Sequence, residues 1–167
     1  MNMLKRSHSF HLLVVAVIAS VFLVSSNKSD AKQQTWGLCI GVSDYEDDDI
    51  PDLKWASKDA IEFCTTFLKH RLKLPEEHYQ ILFESSAKKQ EIEKLLGWLS
   101  IKAKAEDQVF IFYSGHGGKT SPIVPYDANP NDKQTFLGSD IIQKALDKID
   151  AHETIFIIDA CYSGRLA

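Results

Sequence analysis

The sequence predicts an α/β domain built on a mostly parallel sheet whose two faces are covered by helices. Short apolar runs alternate along the chain with segments in which apolar residues recur at helical spacing. Two of these runs, residues 109–113 and 155–158, are continuously apolar, which is typical of strands buried on both faces. Such an alternation predicts βαβ units and therefore parallel strands.

Four strands and three helices are expected in this order. The strands are predicted at residues 36–42, 79–83, 108–113 and 154–158. The first helix is predicted over residues 55–72. A second helix is expected after a cap at Ser85 or Ser86, and a third after a cap at Ser139. An acidic loop, residues 44–51, follows the first strand.

Composition and charge narrow the function classes. The chain has 167 residues, a length that suits one hydrophobic core. Its net charge is −4 and it has no basic stripe, so nucleic-acid binding is not expected. Near the start, Lys5 and Arg6 precede an apolar run, residues 12–24, that is shorter than the roughly 20 residues a membrane span needs. We therefore expect a signal peptide over residues 1–31 and an exported protein, secreted or periplasmic. The alternative is an uncleaved membrane anchor over residues 9–24.

The three cysteines fall into two groups. Cys39 lies in the first predicted strand and Cys64 on the apolar face of the first predicted helix, so both are expected to be packed thiols. A Cys39–Cys64 disulfide is the alternative in an oxidising compartment. Cys161 has no predicted partner, and an unpaired thiol in an exported protein is a candidate functional residue.

Cys161 and His116 occupy equivalent places after two predicted strands. His116 is three residues past Tyr113, and Cys161 is three residues past Ile158. Parallel neighbouring strands lie about 4.8 Å apart. If these two strands are neighbours, imidazole and thiol meet at the carboxyl edge of the sheet, where ligands bind in such folds.

A thiol beside an imidazole is a nucleophile beside a base. The imidazole can take the thiol proton and later protonate a leaving amine. The glycines around His116 would let the backbone approach a substrate closely. The backbone N–H groups of Gly117 and Cys161 are candidate donors to an oxyanion. Together these groups predict acyl transfer.

Other chemistries fit the sequence less well. The segment Gly118-Lys119-Thr120 resembles the end of a phosphate-binding loop, but Tyr113 stands where that motif needs its first glycine. No zinc-binding spacing is present, so no metal ligand is predicted. The acidic run at residues 46–49 lacks the spacing of a calcium loop, and a solvated loop is the favoured interpretation. A plain flavodoxin-like ligand-binding domain remains a weaker alternative.

The two strand-end motifs, Tyr113-Ser-Gly-His-Gly-Gly and Asp159-Ala-Cys-Tyr-Ser-Gly, resemble those of the caspase-like cysteine peptidases, most closely the metacaspases and their bacterial relatives. The resemblance extends over residues 35–167 and includes Gly37-Leu-Cys-Ile-Gly-Val-Ser-Asp-Tyr and Lys58-Asp-Ala. It implies a three-layer αβα caspase-like fold, with His116 as base and Cys161 as nucleophile.

The resemblance also implies a substrate preference. In metacaspase-like enzymes, acidic side chains hold an Arg or Lys just before the scissile bond, and Asp59 and Asp159 match two of those acids by position. A carboxylate pair in a partly desolvated pocket selects guanidinium or ammonium groups. The alternatives are a carboxylate near a helix N-terminus for Asp59 and a strand-end carboxylate that accepts N–H groups for Asp159.

We therefore expect a cysteine endopeptidase that cleaves proteins or peptides after Arg or Lys through an acyl-enzyme. No cofactor is expected, and the sequence does not decide whether calcium activates the enzyme. Caspase-like domains have six strands and four are predicted here, so a C-terminal segment or separate subunit is an expected partner. The alternative function is a catalytically incompetent caspase-like interaction module.

Overall fold

A computed structural model of the chain describes residues 32–118 and 120–160. Its central feature is a four-stranded, all-parallel sheet in the order β2-β1-β3-β4. The strands are β1 (Thr35–Gly41), β2 (Tyr79–Phe83), β3 (Gln108–Ser114) and β4 (Glu153–Asp159). All four predicted strands are therefore confirmed, with ends that differ by at most one residue.

Three helical segments connect these strands. The first, α1, is an α-helix over Ala56–Glu62 that continues as a π-helix over Phe63–Arg71. The second, α2, covers Lys89–Lys102, and the third, α3, covers Ser139–Leu146. Within the described ranges, no helix is both long enough and apolar enough to cross a membrane. The predicted signal peptide or anchor lies outside these ranges and stays a prediction.

The helices cover both faces of the sheet, which gives the predicted three layers. On one face, Ile92, Leu96 and Leu99 of α2 and Ile142 of α3 belong to the larger core cluster. On the other face, α1 contributes Ala60, Cys64 and Leu68 to a smaller cluster. Leu38 and Cys39 of β1 belong to opposite clusters because successive strand side chains point to opposite faces.

Both predicted serine caps are wrong. Helix α2 begins at Lys89, and Ser86 instead closes a short 3-10 turn by bonding the backbone of Phe83. The N–H of Lys89 donates to the carboxylate of Asp127, 2.8 Å away and 38 residues later. Helix α3 begins at Ser139 itself, after Gly138. At α2 the N–H partner comes from a distant loop, which local sequence does not reveal.

Strand register places the predicted site residues at one edge. Gly41 of β1 pairs with Ser114 of β3, which in turn pairs with Asp159 of β4. In the order β2-β1-β3-β4, the chain adds β2 on one side of β1 and then adds β3 and β4 on the other side. Crevices that hold ligands form at such switch points, which here is the point between β1 and β3. The loops that follow β1 and β3 meet at this crevice.

At the opposite edge of the sheet, a buried carboxylate accepts hydrogen bonds from residues near the amino ends of the strands. Asp107, only 2% exposed, accepts hydrogen bonds from the N–H of Gln34, the indole of Trp36 and the N–H of Lys104. Its carbonyl accepts from the N–H of His152 at the start of β4. These bonds satisfy the buried charge and fix the amino ends of three strands.

The close approach of α1 to β1 makes Gly41 a sensitive position. A Cβ atom there would lie 2.7 Å from both Ala60 Cβ and Ser57 Cα. We expect Gly41→Ala to lower the free energy of unfolding by about 1–3 kcal/mol, because helix and strand would have to separate. Urea unfolding followed by circular dichroism measures the change.

Gly97→Ala is the matched control, because a Cβ there meets nothing within 4 Å. Gly97 lies inside α2, where alanine is preferred by about 1 kcal/mol. The control should be neutral or stabilising. Equal destabilisation by both substitutions would contradict the packing described for Gly41.

Candidate active site

His116 lies on the loop that leaves β3, two residues beyond the end of the strand. The turn between them depends on Gly115. A Cβ on Gly115 would lie 2.4 Å from the Tyr113 hydroxyl oxygen, so a larger residue would push the tyrosine ring away. The structure thus gives this glycine a role in intramolecular packing, in addition to the substrate access expected from the sequence.

The imidazole of His116 is held by a main-chain oxygen. Its Nε2 atom lies 2.6 Å from the carbonyl oxygen of Pro51, in the loop that follows β1. A carbonyl oxygen only accepts hydrogen bonds, so Nε2 must carry the proton in this contact. In the neutral imidazole, Nδ1 then carries no proton and is available as a base.

Two tyrosine hydroxyls hold the backbone of the same residue. The N–H of His116 donates to the hydroxyl oxygen of Tyr45 at 2.8 Å, and the Tyr113 hydroxyl donates to the His116 carbonyl at 2.6 Å. The Tyr45 ring also contacts the imidazole, with centroids 5.2 Å apart. His116 is therefore fixed at its N–H, its carbonyl and its ring.

Both tyrosines are buried, and this alters their acidity. Burial raises the pKa of Tyr45 to about 12, although the hydrogen bond from the His116 N–H opposes the shift. Burial likewise raises the pKa of Tyr113 well above its usual value. Both hydroxyls therefore stay neutral near pH 7, so they orient His116 without placing a charge beside it.

The loop that carries Tyr45 and Pro51 is itself anchored to the end of β2. One carboxylate oxygen of Glu84 accepts from the N–H groups of Ser43 and Asp44, at 3.0 and 2.8 Å. Glu84 has a positive φ of 47°, an unusual conformation for a residue other than glycine. Such strain persists where surrounding contacts fix the residue, and here it lies beside the candidate site.

The predicted pocket acids lie at two places on this edge. Asp159 ends β4, is exposed, and accepts a 3.4 Å hydrogen bond from the hydroxyl of the buried Ser114. Asp59 lies in the first turn of α1 and is half-buried. No hydrogen bond connects the two carboxylates, and a shared pocket for them stays a prediction.

Gly117 and Cys161 are the remaining members of the predicted site. Gly117 is half-buried and directly follows His116. Cys161 lies outside the described residues, which extend to Ala160 at this end. Tyr113 pairs with Ile158, so β3 and β4 are the parallel neighbours that the sequence analysis assumed. The roles of Cys161 and Gly117 stay predictions.

The acidic loop borders a separate, open cavity of about 470 Å³. It is lined by Glu46, Asp47, Asp48, Asp49, Asp127, Ala128 and Asn129. Among the residues that the structure describes, no group of three or more His, Cys, Asp or Glu side chains is arranged to hold a metal ion.

The sequence comparison decides the family. The family model described as "Caspase domain", a peptidase family, matches residues 34–167. The chain belongs to the caspase domain family. This membership makes it a relative of cysteine hydrolases in general. None of the curated proteins matches the sequence significantly.

Among solved structures, the caspase-domain chain is similar to protein GSU0716 from Geobacter sulfurreducens. The TM-score is 0.56 and the sequence identity is 18%, so the likeness concerns the fold alone. The match covers 77% of this chain and 50% of the other. This chain thus spans half of the length of the protein that it matches.

Sequence reasoning missed the three groups that hold His116. Pro51 contributes a main-chain oxygen, which leaves no signal in residue type. The sequence places Tyr113 in a strand and in the histidine motif, and Tyr45 at the end of the family-like segment that begins at Gly37, without a supporting role for either. Tyr113 follows an apolar run at the end of β3, and Tyr45 lies in the acidic loop after β1. Both side chains are buried, and buried tyrosine hydroxyls need partners. That need was the available signal.

The raised pKa of Tyr45 predicts a change in alkaline stability. Its neutral hydroxyl stabilises the folded state fully below pH 10, and this contribution is lost as the pH rises through about 12. We expect Tyr45→Phe to lower the free energy of unfolding at pH 7 by about 1–2 kcal/mol, because the His116 N–H loses its acceptor. Between pH 10 and 12 the variant should lose stability less steeply.

Urea unfolding at a series of pH values measures both effects. Tyr126→Phe is the control, because Tyr126 is half-buried, its ring contacts a lysine, and it takes no part in holding His116. The control should keep the stability at pH 7 that Tyr45→Phe loses, because Tyr126 takes no part in holding His116. The same alkaline slope in Tyr45→Phe and the unmodified protein would rule out this role for the Tyr45 hydroxyl.

Proposed function

We propose that this caspase-domain chain is part of a cysteine endopeptidase that cleaves after Arg or Lys, with His116 as base and Cys161 as nucleophile. The observation that carries the proposal is the 2.6 Å contact between His116 Nε2 and the Pro51 carbonyl oxygen. Catalytic bases are commonly oriented by a third group, and here that group is a main-chain oxygen. A histidine that served only as a polar loop residue would not need this support.

The neutral carbonyl suits the proton transfers of the reaction. When His116 takes a proton on Nδ1, the resulting imidazolium keeps its Nε2–H on the Pro51 oxygen. The carbonyl dipole stabilises that positive charge, yet it cannot itself take the proton. Tyr45 and Tyr113 remain neutral at the same time, so none of the three supports competes for the proton.

The bond changes follow from these roles. The Cys161 thiolate attacks the carbonyl carbon of the scissile peptide, and the carbon–sulfur bond forms as the carbonyl oxygen becomes an oxyanion. The N–H groups of Gly117 and Cys161 would stabilise that oxyanion. The carbon–nitrogen bond then breaks as His116 protonates the leaving amine. A water molecule, deprotonated by His116, hydrolyses the thioester and restores the thiol.

Two carboxylates support the preference for a basic residue. Asp159 stands two residues before the proposed nucleophile and is fixed by Ser114. Asp59 lies on α1, whose first turn packs against the end of β1 at Gly41. Both thus belong to elements that meet the carboxyl edge of the sheet, where a guanidinium or ammonium group could pair with them.

Hydrolysis of a peptide that ends in Arg before a fluorescent leaving group tests the proposed dyad. We expect Cys161→Ala to abolish turnover and His116→Ala to lower kcat by at least about 10³-fold, because each removes a group that acts in every step. His152→Ala is the matched control, since His152 is exposed at the opposite edge of the sheet. Activity that survives Cys161→Ala would overturn the proposal. A folded chain that stays inactive together with the C-terminal segment or subunit expected as its partner would favour the non-catalytic module instead.

The specificity is tested separately at Asp59. Asp59→Asn should lower kcat/KM by about 10- to 100-fold for the Arg substrate and leave a substrate with a neutral residue there nearly unchanged. Glu62→Gln is the control, because it removes an exposed carboxylate from the same helix. An equal loss on both substrates would mean that Asp59 acts on folding or chemistry and does not select the basic residue.

A further inference from the structure

The interface between β1 and α1 is unusually close and aligns two cysteines. On the strand, Gly37, Cys39 and Gly41 point to one face because alternate residues share a face. On the helical segment, residues 60, 64 and 68 recur every fourth position. A Cβ on Gly41 would lie 2.7 Å from Ala60 Cβ, and one on Gly37 would lie 2.4 Å from Leu68 Cδ1. Cys39 lies between the two glycines on β1, and Cys64 lies between Ala60 and Leu68 on α1, so both cysteines lie between these two contacts.

The two thiols accordingly contact each other in the core. Both are fully buried, both are free thiols, and both belong to the cluster between α1 and the sheet. A hydrogen bond to Cys64 raises the pKa of Cys39, and burial raises it further. The Cys39 thiol is therefore protonated in the folded protein, and the proposed catalytic chemistry does not use either cysteine.

We propose that Cys39 and Cys64 form a redox site, which closes to an intrachain disulfide when the chain folds in an oxidising compartment. The close approach at Gly37 and Gly41 brings strand and helix together on either side of Cys39. A disulfide at this level requires a Cβ separation of about 3.5–4.5 Å. Disulfides persist in exported proteins, and the N-terminal sequence predicts export.

The oxidation is a thiol–disulfide exchange with a small-molecule disulfide such as oxidised glutathione. One protein thiolate attacks the disulfide, forms a mixed disulfide and releases one glutathione thiol. The second protein thiolate then attacks the protein sulfur and releases the second glutathione thiol. The protein gives up two electrons and two protons, and one glutathione disulfide becomes two thiols. Since both cysteines are buried once α1 has docked, the exchange takes place before docking or during local opening.

The disulfide would tie together the ends of the segment that positions His116. Residues 39–64 include Tyr45 and Pro51, which bind the backbone and the ring of that histidine. Closing this loop restricts the unfolded chain, and we expect a rise in Tm on the order of 10 °C. The inference requires no catalytic activity and stands apart from the proposed peptidase function.

The test uses the whole chain with Cys161→Ala, so that Cys39 and Cys64 are the only two cysteines left of three. The reduced, unfolded protein is refolded in buffers with a series of reduced-to-oxidised glutathione ratios. It is then quenched with acid, alkylated in denaturant and mapped by mass spectrometry. We expect a linked Cys39–Cys64 peptide in monomeric protein, together with a higher Tm. Alkylation of both cysteines in the most oxidising buffer, or linkage only between chains, would overturn the proposal.

Two further measurements test the proposal even if the Cys161→Ala variant fails to fold. The same peptide map on the unmodified chain should show the Cys39–Cys64 link with Cys161 alkylated. Cys64→Ala in the Cys161→Ala background should have the same Tm in oxidising and reducing buffers. A redox-dependent Tm in that single-cysteine variant would show that the effect has another origin. All of these readouts are peptide masses or melting temperatures, so failure of the peptidase proposal leaves them unaffected.

Discussion

The in-register parallel pairing of β3 between β1 and β4 is the constraint on which the rest of the structure depends. Gly41, Ser114 and Asp159 stand side by side across three strands. Every loop that leaves these strands therefore begins at the same level of the same edge. Pro51 and His116 are 65 residues apart in sequence and are brought within 2.6 Å because of this pairing. A shift of one residue in β3 would turn its buried side chains to the opposite face.

The two edges of the sheet use polar groups in different ways. At the amino edge, the carboxylate of Asp107 accepts from three donors and has a structural role. At the carboxyl edge, His116 is held by neutral oxygens from Tyr45, Tyr113 and Pro51. Neutral supports orient an imidazole and leave its second nitrogen free, which is what the role proposed for His116 as a base requires.

The strands, and the positions of the site residues relative to them, could be predicted from the sequence because they depend on the local pattern of apolar residues. The run Tyr79–Phe83 is a strand residue for residue as expected, and the equal offset of His116 and Cys161 from their strands follows from counting. The groups that hold the site could not be predicted in the same way. Pro51 acts through a main-chain oxygen, and Asp127 binds the first N–H of α2 from 38 residues away. Such contacts are set by tertiary packing, which single-residue preferences do not encode.

Coupling between the His116 imidazole and the Cys161 thiol is tested most directly by the pH dependence of Cys161 alkylation. Peptide-resolved mass spectrometry would follow the rate in the unmodified protein and in His116→Ala. An isolated thiol has a pKa of about 8.5. If His116 acts on Cys161, the unmodified protein should react with a midpoint clearly below that value, and His116→Ala should return the midpoint to it. Superimposable profiles for the two proteins would contradict a catalytic pair at this edge of the sheet.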